Sequence, residues 1–343
     1  MTADFAFMAE RPPLAADFKT VPEDFVVEEN LGYEPTGSGE HLCLYLEKCN
    51  LSTPQVARHL ARTCAVNPRD VSYAGLKDRQ SIARQWFSLH LGLNREIDPA
   101  GIETEQLKIL AIERNSRKIR IGTHCGNRFR IRLRRLRGDR QGLFERLERI
   151  RRDGVPNYFG AQRFGLAGAN VRLAGDMFKG RIRVKDRFLR GMYMSAARSW
   201  LFNSLLSRRV SQGNWNCHVP GDVMALQGSG SVFVPDDWDP LLQQRLDSFD
   251  IHPSGPLWGR GSSLATATAA ELEAAVTGMW PDLCAGLEAA GLQQERRSLR
   301  LQVADLRLEY PVQDDMVLEF TLGKGAYATS VLRELVDIEG GSD

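Results

Sequence analysis

Gly126-Asn127-Arg128-Phe129-Arg130-Ile131-Arg132-Leu133-Arg134 alternates cation and apolar residue without a break from Arg128 onward. Period two is the repeat of a β-strand, whose successive side chains point to opposite faces. One face therefore carries Arg128, Arg130, Arg132 and Arg134. The other carries Phe129, Ile131 and Leu133 and is expected to lie on a core. Four arginines on one strand face repel each other unless anions sit across them. With no acid in the run, backbone phosphates are the expected anions.

The charge around this strand extends the point. From Arg114 to Arg137 there are ten Lys or Arg and no Asp or Glu. A second basic run spans Lys179 to Arg190, relieved only by Asp186, while Asp236, Asp237, Asp239, Asp247 and Asp250 form an acidic patch. The formal net charge of +2 thus hides a concentrated positive surface, which favours a polyanionic partner, nucleic acid first. The 343 residues are 43% hydrophobic and 26% charged, ordinary for a globular protein of about two domains. No window approaches the ~18–20 apolar residues of a membrane span. Met1-Thr-Ala-Asp-Phe5 lacks the basic start and apolar run of a signal peptide. Cys43, Cys49, Cys64, Cys125, Cys217 and Cys284 are scattered, with no Cys-x-x-Cys and no histidine at metal-ligand spacing. No zinc site and no disulfide framework is expected, and a reduced, cytoplasmic monomer is.

On either side of the arginine strand the chain changes character. Before it, Leu42, Leu44 and Leu46 alternate as in a half-buried strand, and Thr53-Pro54 predicts a helix start with a hydroxyl cap. After it, Asp139–Asp153 reads as a helix closed by Gly154. A glycine- and aromatic-rich loop, Val155 to Gly165, follows, then a long helix over 192–212. Residues 213–265 are rich in Gly, Pro and Asp, and two short helices precede a return of β pattern at Ser298. This order, β-rich, helix-rich, β-rich, predicts an α+β protein whose core domain (1–152 and 297–343) is interrupted by an inserted helix-rich α/β domain (153–296).

Ala74-Gly75-Leu76-Lys77-Asp78-Arg79-Gln80 lies between two short β-like runs. Asp78 stands between two cations just after a glycine turn, and flanking positive charge favours an ionised carboxylate, usable as nucleophile or base. Lys19, Lys77 and Arg79 are all candidates for its ion partner. No glycine-rich strand–loop–helix fingerprint for a nucleotide cofactor is present, which argues against a methyltransferase.

Six stretches in this order resemble the TruD family of tRNA pseudouridine synthases over nearly the whole chain. They are Lys19-Thr-Val-Pro-Glu-Asp-Phe-Val-Val-Glu, Gly75-Leu-Lys-Asp-Arg, Gly126-Asn-Arg-Phe, Gly154-Val-Pro-Asn-Tyr-Phe-Gly-Ala-Gln-Arg-Phe-Gly, His252-Pro-Ser-Gly-Pro-Leu-Trp-Gly and Gly325-Ala-Tyr-Ala-Thr-Ser-Val-Leu-Arg-Glu. The resemblance implies a pseudouridine-synthase fold, a mixed and mostly antiparallel sheet flanked by helices, with a family-specific insertion. It implies isomerisation of a tRNA uridine, position 13 of the D arm in bacterial members, with no cofactor and no metal. Asp78 falls on the family's catalytic aspartate. Phe25, Asn127 and Phe320 fall on positions associated with the target nucleotide. Lys19 and Phe129 join them as an ion partner and a further stacking candidate, while the arginine face, the 179–190 run and Gln162-Arg163 are expected to carry tRNA phosphates. Two departures from the family pattern, Ser81-Ile82-Ala83 after the Asp-Arg pair and Gly323 before the closing motif, are conservative in size or lie in a turn. The competing expectation is an RNA-binding or chaperone protein without turnover.

Overall fold

The computed structural model describes residues 4–93 and 95–339. The chain divides into two compact units: one of Met1–Pro12, Gln141–Gln302 and Ala326–Leu335, the other of Pro13–Arg140, Val303–Gly325 and Val336–Asp343. The boundaries differ from those read off the sequence pattern. The helix Leu143–Asp153 belongs with the helix-rich unit because it packs on the helix Ala328–Leu335. Arg146 donates to the Glu334 carbonyl at 3.2 Å within that pair.

Among its described residues the β-rich unit is a ten-stranded mixed sheet. Seven strands run in the order Ala304–Val312, Asp315–Gly323, Gly126–Gly138, Phe25–Asn30, Ile82–His90, His41–Cys49 and Leu107–Asn115. All these pairs are antiparallel except Phe25–Asn30 with Ile82–His90. Leu14–Phe18 adds to the arginine strand, and Val71–Tyr73 to Ile82–His90. The α+β expectation with a mostly antiparallel sheet is met. The helix Thr53–Thr63 lays Val56 and Leu60 on the buried leucines of His41–Cys49 and on Phe87 and Leu89. Its cap is Ser52, whose N–H donates to Gln55 Oε1 at 2.8 Å. Thr53, expected as the cap, is the first helical residue, which releases its hydroxyl for another use described below.

The helix-rich unit is organised on the helix Arg187–Ser211, longer than expected because Asp186 caps it: Asp186 Oδ1 accepts from Phe188 N at 2.7 Å. Ala196, Ala197, Trp200 and Leu201 on this helix pack on Val171 and Ala174 of the helix Ala169–Phe178 and on Leu283 and Leu287. The aromatic loop is held by Asn203, which accepts from Phe159 N at 2.9 Å and donates to Phe159 O at 3.0 Å. A four-stranded sheet and the helix Ala267–Thr277 complete the unit.

Candidate active site

Asp78 sits in the irregular segment that joins Val71–Tyr73 to Ile82–His90, and nearly every polar atom around it is tied down. The Asp78 carbonyl accepts from Ser81 Oγ and from Lys48 Nζ, both at 2.7 Å. Lys48 is buried, and its second hydrogen bond goes to Leu51 O at 2.6 Å. Burial lowers the Lys48 ammonium to about 8, opposed by the negative charge of Asp78. An ammonium buried on two neutral carbonyls is costly, and what it secures is the position of the aspartate's backbone. Higher in the loop, Gln85 Nε2 donates to Gly75 O at 2.6 Å. The freed Thr53 hydroxyl accepts from Lys77 N and donates to Gln85 Oε1, each at 3.0 Å. Gly75 packs closely: a Cβ there would stand 3.3 Å from the His124 ring, which would have to give way by a few tenths of an ångström.

The Asp78 side chain is half-exposed (42%), and its Oδ2 accepts from Lys19 Nζ at 2.7 Å. Lys19 is the opposite case, with its side chain 5% exposed. Its backbone has φ 56°, in the left-handed region that costs a non-glycine residue about 1 kcal/mol or more. Gln80 Nε2 holds the Lys19 carbonyl at 2.8 Å, and the ammonium lies 4.5 Å from the centre of the Phe25 ring. Lys19 is thus fixed between an aromatic face and the carboxylate. The sequence neighbours of Asp78 turn away from it. Lys77 pairs with buried Glu29 at 2.7 Å, whose other oxygen accepts from Trp86 N, and Arg79 Nε reaches Asn50 O at 3.3 Å. Of the three candidate cations, Lys19 is the partner.

Beside this pair runs a row of rings on one face of three adjacent strands. Phe25 and Phe129 have centroids 5.9 Å apart, and Phe129 and Phe320 are 5.5 Å apart. Phe129 is opposite both Val27 and Phe320 in register, and Asn127, two residues along, is opposite Glu29 and Leu322. All three rings are buried, so they form a floor rather than a projecting platform. Asn127 is buried too, and among the described residues its Oδ1 has no hydrogen-bond partner. A buried amide oxygen left open is uncommon. Lys19, Phe25, Asp78, Asn127, Phe129 and Phe320, far apart in the chain, therefore lie on or beside one sheet face. Among the described residues no group of three His, Cys, Asp or Glu is placed to hold a metal ion.

The arginine face, expected to meet tRNA phosphates, finds its anions within the protein itself. Glu319 takes Arg128 at 3.0 Å and Arg130 at 3.2 Å; Asp315 takes Arg132 at 2.6 Å; Asp24 takes Arg134 at 2.7 Å. The anions missing from the run arrive sideways, from neighbouring strands and the turn at Asp24, so the strand is a salt-bridge ladder. Arg163 of the Gln162-Arg163 pair donates to Ser195 Oγ at 2.6 Å and to the Tyr327 hydroxyl inside its own unit. In the 179–190 run, Lys179 pairs with Asp282 and Arg181 with Asp176. Arg183, Lys185, Arg187 and Arg190 are exposed and, among the described residues, without an acid within ion-pair distance.

Lys48 was missed at the level of sequence, although a signal for it exists. It continues the buried parity of Leu42, Leu44 and Leu46, a cation where a fourth leucine is due.

The family profile described as tRNA pseudouridine synthase D (TruD) matches residues 4–183 and 174–335. This chain belongs to the TruD family. It is 47% identical over 330 residues to the tRNA pseudouridine synthase D of Nitrosococcus oceani, covering 95% of this chain and 92% of that one. It is 46% identical over 323 residues to the protein of that name from Pseudomonas aeruginosa (94% and 91% covered). A crystal structure of a Methanosarcina mazei protein that carries the same name superposes with a TM-score of 0.74 at 21% identity, over 96% of this chain and 95% of the other. At that identity the likeness speaks for the fold. The TruD chain is accordingly an enzyme of the isomerase class, and among its described residues no helix is long and apolar enough to cross a membrane.

Proposed function

We propose that the chain converts uridine to pseudouridine in tRNA, at position 13 of the D arm, with Asp78 as its essential carboxylate and without a cofactor. The observation that carries this reading is the Asp78–Lys19 pair, braced from beneath by Lys48 and set beside the aromatic floor and the open Asn127 oxygen. The isomerisation breaks the C1′–N1 bond, turns the base over and joins C1′ to C5. The proton leaving C5 is matched by one gained at N1, so no oxidant, reductant or water is consumed. Asp78 either attacks the sugar or the base covalently, or takes a proton from the sugar. Lys19 orients it in each case. The buried floor serves a nucleotide turned out of its stack, and Asn127 Oδ1 suits the N3–H of uracil. The unpaired cations from Arg183 to Arg190 serve tRNA phosphates, which position RNA without reading its sequence. With this reading go a cytoplasmic location and a monomeric state.

The test is incubation of the chain alone with unmodified tRNA, followed by mapping of pseudouridine along the product. Pseudouridine at position 13 is expected. Tight tRNA binding with no pseudouridine would instead make the chain an RNA-binding protein without turnover.

A further inference from the structure

The cations that precede the arginine strand are in a different state from those on it. Arg117, Lys118 and Arg120 are exposed, and among the described residues none has an acid or a hydrogen-bond acceptor for its side chain. Beside them Ile121 is 81% exposed. A lone exposed isoleucine needs no explanation in general. Here the loop that carries it is pinned at four points. Asn115 Nδ2 donates to Arg117 O at 2.8 Å, Ile119 N to Ser88 Oγ at 2.9 Å, Gly122 N to Ala74 O at 2.7 Å, and Cys125 N to Asn30 O at 2.8 Å. Ile119 is buried with Leu31, Cys43 and Ala74. One of these anchors, Ala74, opens the aspartate loop itself, and beside it His124 packs on Gly75 of the same loop. Leu76, on the aspartate loop two residues before Asp78, is 71% exposed. A rigid loop docked against the Asp78 segment thus offers three unneutralised cations and a bare apolar side chain to solvent.

Resting on the reading of the chain as a tRNA-modifying enzyme, we propose that the Asn115–Cys125 loop grips RNA at the Asp78 site. Arg117, Lys118 and Arg120 take backbone phosphates next to the target uridine, and Ile121 presses into the stack from which that uridine leaves. The chemistry fits both halves. Exposed unpaired cations release counterions on binding phosphate, whereas cations already paired with carboxylates gain little. An apolar wedge between bases offsets the loss of stacking when a nucleotide is turned out, and a pre-ordered loop loses little entropy in doing so.

The test compares three variants of the full chain: Arg117→Gln/Lys118→Gln/Arg120→Gln, Ile121→Ser, and Arg128→Gln/Arg130→Gln from the ladder. Affinity for unmodified tRNA is measured at several salt concentrations, and pseudouridine formation in single turnover with enzyme in excess. The triple variant is expected to bind roughly 30- to 100-fold more weakly near 0.15 M salt, with the slope of log affinity against log salt smaller by about two to three. The ladder variant should change affinity less than about threefold. Ile121→Ser should slow single turnover about tenfold while affinity moves less than about threefold. Unchanged affinity and slope in the triple variant, or an equal loss in the ladder variant, overturns the grip; an unchanged rate in Ile121→Ser overturns the wedge. Binding of the wild type to phosphatidylserine vesicles, lost in the triple variant while tRNA affinity stays intact, assigns the loop to a membrane surface and also overturns the proposal. If the wild type forms no pseudouridine at all, the functional reading fails, and the affinity arms still decide whether this loop holds RNA.

Discussion

The basic run from Arg114 to Arg137 divides at Gly126 into two parts of like charge and opposite fate. On the strand side, Arg128, Arg130, Arg132 and Arg134 are each met by Glu319, Asp315 or Asp24. On the loop side, Arg117, Lys118 and Arg120 meet nothing among the described residues. The cause is geometric. A strand inside a sheet has neighbours ~4.8 Å away on both sides, and those neighbours can supply charge from anywhere in the chain. A loop at the rim has no such neighbours, so its charge stays available. Strong cationic character in a sequence therefore marks an RNA surface only where the fold leaves it uncompensated.

If the ladder is structural, breaking it should cost stability. Arg134→Met removes the guanidinium from Asp24, whose carboxylate is almost wholly buried (1%) and, among the described residues, would keep only the Val21 N–H. A loss of about 3 kcal/mol is expected, read as a lower denaturant midpoint with unchanged slope. The loop substitutions should cost less than ~0.5 kcal/mol each in the same experiment. Equal costs would erase the distinction between the two halves.

Glu319→Gln probes it from the other direction and with a smaller effect. It releases Arg128 and Arg130, both at least half-exposed, from their shared acid. Affinity for unstructured RNA at low salt is expected to rise about three- to tenfold, with a salt slope steeper by up to about two. No rise would mean that neutralisation by Glu319 is not what keeps this face away from phosphate.

Much of the fold was legible in the sequence because period two survives tertiary folding. The strands at His41–Cys49 and Gly126–Gly138, the return of β pattern after Ser298 and the helix-rich middle all lie where the pattern placed them. Which cation pairs with which acid was not legible, because pairing depends on register between strands more than a hundred residues apart. The same holds at the site. Lys77 and Arg79 flank Asp78 in sequence, yet Lys19 holds it, because adjacent side chains in an extended turn diverge whereas the folded sheet brings Lys19 across. The brace beneath the loop was hidden differently. Lys48 was written in the alternation of the leucine strand, but a cation at a buried position gains meaning only when the Asp78 carbonyl is found above it.

The account stands on Asp78 as the group that acts, held by Lys19 and not merely paired with it. The direct measurement is single-turnover pseudouridine formation by Asp78→Asn with excess enzyme on unmodified tRNA, with tRNA affinity recorded alongside. The isosteric amide keeps the loop's backbone bonds to Lys48 and Ser81. A rate at least ~10⁴-fold below wild type, with affinity within about threefold, is the predicted result. Pseudouridine formed within about tenfold of the wild-type rate would contradict it.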